Sequence, residues 1–195
     1  MGSDPAPCFA NLFLYYYESS WIKSIKKTDN ILARKFGNVF RYIDDLLAIN
    51  DGHSFEAFFR DIYPDELELS KENILNTDTN FLDLHIRIVN GVFTTMLYDK
   101  RDNFGFDITR LPYRSSNIPN KMFYSSITAE CLRICRATSS DAQAIESIKI
   151  LLDRMIDQGG DMQIMRKYIT KAFVKHHIDD EFGITGSPLV TKIFD

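Results

Sequence analysis

The chain has 195 residues, 45% of them hydrophobic and 13% aromatic, with fifteen Phe, nine Tyr and a formal net charge of −4. That length suits one medium domain or two small ones, and such a composition argues against a disordered chain. The acidic balance speaks against a strongly basic nucleic-acid binder, since phosphate contacts need Lys and Arg, and no run reaches the roughly 18 apolar residues of a membrane span.

In chain order, Asp4 and Pro5 read as the cap and first position of a helix on which Phe9, Leu12, Phe13 and Tyr16 follow helical spacing. This helix is expected to run toward Trp21, with the basic stretch 23–35 as its end and a loop. Segments 39–42 and 46–49 read as the strands of a hairpin, with Ile43-Asp44-Asp45 as its turn. Asn50-Asp51-Gly52 stops the second strand, and Ser54 is expected to cap a short helix bearing Phe55, Phe58 and Phe59, before Pro64. A second hairpin gives the clearest local signal. Leu82, Leu84, Ile86 and Ile88 alternate with Asp83, His85 and Arg87, Asn90-Gly91 supplies a tight turn, and 92–98 returns. The polar, turn-rich segment 99–119 reads as a domain boundary.

Helices fill the remainder. One covers about residues 121–136, and a second starts near Ser140 with Ile145, Ile148, Leu152 and Met155 on one face. Gln158-Gly159-Gly160 stops it, and Asp161 caps a third helix with Met162, Met165, Ile169 and Phe173 inward. Basic residues cluster twice: Lys23, Lys26, Lys27, Arg34, Lys35 and Arg41, then Arg166, Lys167, Lys171 and Lys175. By themselves these read as solvated faces. Three cysteines without framework spacing, Cys8, Cys131 and Cys135, suggest a reducing, intracellular compartment, nuclear or cytoplasmic. Cys131 and Cys135 read as buried thiols. No basic region precedes the apolar stretch 9–17, so it does not read as a signal peptide, and Ala6 stands where a myristoylation signal wants Ser or Thr.

Adjacent aspartates in a tight turn repel each other, and a divalent cation removes that penalty. Asp179-Asp180, beside His176-His177, reads as a solvated helix end. Asp44-Asp45 has more context. Tyr42-Ile43-Asp44-Asp45 between apolar strands resembles the third conserved palm block of reverse transcriptases. Upstream, residues 1–12 resemble the preceding block, a small-residue turn opening a long helix. Downstream, Leu67-Glu68-Leu69-Ser70-Lys71 and then Phe81-Leu82-Asp83-Leu84 resemble the next block and the primer grip. The Met-Gly-Ser-x-x-x-Pro and Phe-Leu-Asp-Leu blocks together are most similar to the Penelope-like group of eukaryotic retroelements.

The resemblance implies an α+β fold: a partial polymerase palm, an antiparallel sheet with packed helices, over residues 1–100, followed by an all-helical thumb over 101–195. It implies an RNA-directed DNA polymerase that uses two magnesium ions about 4 Å apart to activate a 3′-hydroxyl and stabilise the leaving pyrophosphate. By that resemblance Asp44 ligates metal directly and Asp45 is a weaker or outer ligand. Lys71 protonates pyrophosphate, Tyr42 packs near the primer terminus, and Gly2 and Ser3 admit the incoming nucleotide and template. Phe81 holds the primer, and Arg110, Arg114, Lys167 and Lys171 contact duplex phosphates. The partners implied are an RNA template and a DNA primer, and no membrane.

The resemblance also implies a further palm Asp and basic fingers upstream of Met1, outside these 195 residues. Without them the isolated chain is expected not to polymerise, because losing a principal metal ligand costs several kcal/mol of transition-state stabilisation. Two other readings compete with this one: a non-catalytic nucleic-acid-binding remnant, and a repurposed module that recruits a partner strand at an open sheet edge.

Overall fold

The computed structural model describes residues 5–106, 108–185 and 188–195. Among these, eight α-helices and two small antiparallel sheets make the chain mixed α+β. Contacts divide it into two units, Met1–Ile74 and Leu75–Asp195, each with its own hydrophobic core.

The first unit opens with α1 (Ala6–Thr28), one residue later than expected, and Asp4 lies outside the described residues. The stripe at helical spacing does not pack: Phe9, Leu12, Phe13 and Tyr16 are each at least 48% exposed. Apolar residues lie on more than one side of this helix, so spacing does not choose its inner face. Packing chooses Leu14, Tyr17, Trp21 and Ile22. The basic stretch is more helical than expected. Lys26 and Lys27 end α1, and a separate helix α2 (Asn30–Lys35) follows, capped by the Asp29 carboxylate, which accepts from the Ile31 and Leu32 amides at 3.0 and 2.9 Å.

A two-stranded hairpin comes next, β1 (Val39–Tyr42) and β2 (Asp45–Ala48), then α3 (Ser54–Ile62). Ser54 is the first residue of α3 rather than its cap. His53, at φ +62°, takes the cap position without a side-chain bond, and Asp51 two residues before it accepts from the Phe55 and His53 amides at 2.8 and 3.1 Å. Phe55, Phe59, Ile62 and Tyr63 bury against Phe36 and the inner face of α1. Trp21 meets Phe36 edge-on, with ring centroids 4.6 Å apart.

The second unit begins with a three-stranded meander: β3 (Asp78–Phe81), β4 (Leu84–Val89) and β5 (Val92–Leu97), in that order. The strand expected from Leu82 starts two residues later. Leu82 and Asp83 form a two-residue turn, and β3, which carries no aliphatic side chain, was not expected. Cross-strand polar contacts hold it instead, Asp78 to Arg87 at 3.1 Å and His85 to Asn80 at 2.6 Å. The segment 99–119, expected as a boundary, lies inside this unit.

Three long helices follow as expected: α4 (Asn120–Ala137), α5 (Asp141–Asp157) and α6 (Met162–Lys175). Gly159 takes φ +88° after α5, the left-handed stop its position predicts. Ile148, Leu152, Met155, Met165, Ile169 and Phe173 enter the core with Phe123 and Ile127 of α4, whereas Met162 stays 40% exposed. Two short helices, α7 (Ile178–Glu181) and α8 (Leu189–Phe194), close this core with Ile178, Leu189 and Ile193. No helix among the described residues is long and apolar enough to cross a membrane.

Cys131 and Cys135 are buried on α4, and Cys8 is exposed. Burial pushes the Cys135 thiol up to about 12 and raises that of Cys131 as well. A thiol reagent at neutral pH is therefore expected to label Cys8 alone in the native chain, and all three after denaturation. Rapid native labelling of either α4 cysteine would contradict this packing.

Candidate functional site

In the first hairpin, Val39 pairs with Ala48, Phe40 with Leu47, Arg41 with Leu46 and Tyr42 with Asp45. Only Ile43 and Asp44 remain for the loop, and Ile43 has φ +55°. A two-residue hairpin loop with positive φ at its first central position alone normally takes Gly there. A β-branched residue in that conformation costs on the order of 1–2 kcal/mol, and it persists only where the surroundings over-determine it.

Strand alternation sets the two faces. Tyr42 and Asp45, directly opposite each other, share a face with Phe40 and Leu47, and Tyr42 is 56% exposed. Arg41 and Leu46 share the other. Asp44 and Asp45 are both exposed, and neither side chain has a hydrogen bond or ion pair with any described residue.

The opposite face holds a network that nothing in the sequence reading singled out. Arg41, grouped there with a solvated basic cluster, is 13% exposed. Its Nε donates to Glu18 Oε1 at 2.6 Å and Nη2 to Glu18 Oε2 at 3.2 Å. Nη1 donates to Asn11 Oδ1 at 2.7 Å and to the Ile43 carbonyl at 3.3 Å, and Nη2 to the Asn11 carbonyl at 3.4 Å. The Tyr63 hydroxyl also donates to Glu18 Oε1. Hydrogen bonding to Glu18 raises the Arg41 pKa, and burial, then the Glu18 bond, raises that of Tyr63. The signal was present: Arg41 occupies a strand position that alternates with its exposed neighbours Phe40 and Tyr42, and a charge on an inner face needs a partner.

The second unit contains a turn of the same form. Phe81 pairs with Leu84, Leu82 has φ +54°, and Asp83 follows it as Asp44 follows Ile43. Here the aspartate is engaged. Arg133 Nη1 donates to Asp83 Oδ2 at 2.7 Å, and Arg133 also binds Glu130, which Arg110 grips at 2.9 and 3.2 Å. The chain thus shows what a structural turn aspartate looks like, and Asp44 lacks every part of it among the described residues.

The chain matches no family model, no curated protein and no solved structure.

No group of three or more His, Cys, Asp or Glu side chains that could hold a metal ion occurs among the described residues. Asp44 and Asp45 offer two adjacent carboxylates. Magnesium takes one or two protein carboxylates and fills its shell with water and phosphate oxygens, so this donor set fits magnesium as part of a shell and does not complete one.

The other expected site residues are dispersed. Gly2 and Ser3 lie outside the described residues. Lys71 is exposed on the irregular segment after α3. In the second unit, Phe81 ends β3 half-buried, and the Arg110 guanidinium is committed to Glu130. Arg114 braces the end of α5, donating to the Gly159 carbonyl at 3.3 Å. Lys167 and Lys171 are exposed on α6, and Lys175 continues their row. Asp179 accepts from the Leu189 amide at 2.7 Å and so tethers the start of α8, while Asp180 pairs with His177 in solvent.

Proposed function

We propose that this chain carries part of a reverse transcriptase of the retroelement type, with the Asp44–Asp45 turn as its metal-binding element, β3 to β5 as its primer-grip region and the helices from α4 onward as its thumb. One observation carries the reading: two adjacent, solvent-facing carboxylates, without partners among the described residues, sit at the tip of a two-residue turn. The turn of the same form, with Leu82 at φ +54°, has its aspartate tied down by Arg133, whereas Asp44 has no such tie among the described residues.

In this reading Asp44 holds magnesium, and Asp45 adds negative field from the face it shares with Tyr42. Bound magnesium supplies the activation of a 3′-hydroxyl and the neutralisation of pyrophosphate. The exposed Tyr42 ring offers a flat surface to the terminal sugar and base of a primer. The 195 residues alone are expected not to extend a primer, since two carboxylates leave the ligand set short.

Calorimetric titration of manganese or magnesium into the purified chain tests this. One weak saturable site is expected, lost in Asp44→Asn, reduced in Asp45→Asn and unchanged in Asp83→Asn. Binding that survives Asp44→Asn would sink the reading.

A second reading, nucleic-acid binding without catalysis, draws on Lys167, Lys171 and Lys175. These are exposed, lie four residues apart along α6 and have no partner among the described residues. Successive members of that row are separated by about 6 Å along the axis. An RNA–DNA hybrid is expected to bind the chain at low salt, and each Lys→Ala change in the row should lower the salt slope by about 1. Absence of binding at low salt removes this reading.

A further inference from the structure

We propose that Arg41 is the positioning residue of the Asp44–Asp45 turn, holding the Ile43 carbonyl against α1 and thereby fixing the peptide plane from which Asp44 projects. A guanidinium has five N–H donors in a rigid fork, and the five contacts of Arg41 match them one for one: two to Glu18, two to Asn11 and one to the Ile43 carbonyl. No donor is left for a substrate. The charge of Arg41 is balanced at Glu18, so what reaches the turn is geometry rather than positive potential. Glu18 is itself fixed by the Tyr63 hydroxyl just beyond α3, so the turn is referenced to two helices of the first unit's core.

This arrangement also accounts for the tolerated φ of Ile43. The Ile43 carbonyl and the Asp44 amide belong to one peptide unit. Holding that carbonyl prevents the peptide from flipping to a relaxed turn and taking Asp44 with it. The turn at Leu82–Asp83 is braced differently, through the aspartate side chain by Arg133. Bracing the first turn through its backbone leaves the Asp44 carboxylate available. The purpose assigned here rests on the metal-binding reading above, and the geometry does not.

The test is made on the full chain, labelled with nitrogen-15. In Arg41→Lys, whose ammonium cannot bridge Glu18, Asn11 and the Ile43 carbonyl together, the Asp44 amide order parameter is expected to fall from about 0.85 toward 0.6. The α3 amides of Phe55 and Phe59 should not change. Manganese affinity should weaken about tenfold or more, the usual penalty for losing a residue that orients a metal ligand. Asn11→Ala, which removes one acceptor and leaves Glu18 in place, should give a smaller change in both readouts, and it serves alone if Arg41→Lys does not fold. An Asp44 amide as rigid in the variants as in the natural chain overturns the proposal, and so does a loosened turn with unchanged manganese affinity. If the natural chain binds no manganese, the metal reading fails, and the order parameter still decides whether Arg41 holds the turn.

Discussion

Glu18→Ala is expected to destabilise the first unit by about 3 kcal/mol, because removing one partner of a largely desolvated ion pair strands the other. The change removes both carboxylate acceptors of Arg41 and the acceptor of the Tyr63 hydroxyl. Arg41 is 13% exposed and Tyr63 5%, so water reaches neither well. The double variant Glu18→Leu with Arg41→Leu should recover part of the loss, since paired apolar replacements often match a buried ion pair. Urea unfolding followed by Trp21 fluorescence reports on this core, for Trp21 packs on Phe36 and Phe58. A loss under about 0.5 kcal/mol, the scale of an exposed pair, would show the network to be a solvated contact.

Phe123→Ala should destabilise the second unit by about 4 kcal/mol through lost burial and a residual cavity. Phe123 is fully buried at the start of α4 and meets Tyr124 edge-on at 5.1 Å. The core it belongs to is drawn from several helices, so no single rotation is expected to close the space. In a unit of this size the change is on the order of 15 °C in melting temperature. Phe123→Leu should cost less than half as much. A melting temperature within a few degrees of the natural chain would mean that α4 does not centre this core.

The parts of the fold that were legible in the sequence are those set by neighbours in sequence. The Asn90-Gly91 turn, the Gly159 stop and the inner face of α5 each follow from local backbone preference or periodicity, and each is found. The parts that were missed depend on distant contacts. Strand β3 exists because Arg87 and His85 of β4 offer partners to Asp78 and Asn80, which no pattern in 78–81 reveals. The Asp51 carboxylate rather than Ser54 serves the amides at the start of α3, because a carboxylate accepts from two amides at once. The outer position of Phe9 and Tyr16 was invisible because an apolar helix has no unique inner face until its partners are known.

The candidate site divides in the same way. Asp44 and Asp45 were legible as residue types in a turn. The support beneath them was not: Arg41 reaches Glu18 across 23 residues, and Tyr63 reaches it across 45. Arg110 shows the converse. The resemblance gave it a phosphate contact, and its guanidinium, 42% exposed, pairs with Glu130 in the structure.

Paramagnetic broadening by manganese, mapped over the backbone amides of the full chain, puts the metal-binding turn to the most direct test. At low manganese, broadening is expected to centre on residues 42–46 and to vanish in Asp44→Asn. Broadening that centres elsewhere, on the His177–Asp180 pair for instance, or that persists at residues 42–46 without the Asp44 carboxylate, would contradict a metal site at this turn.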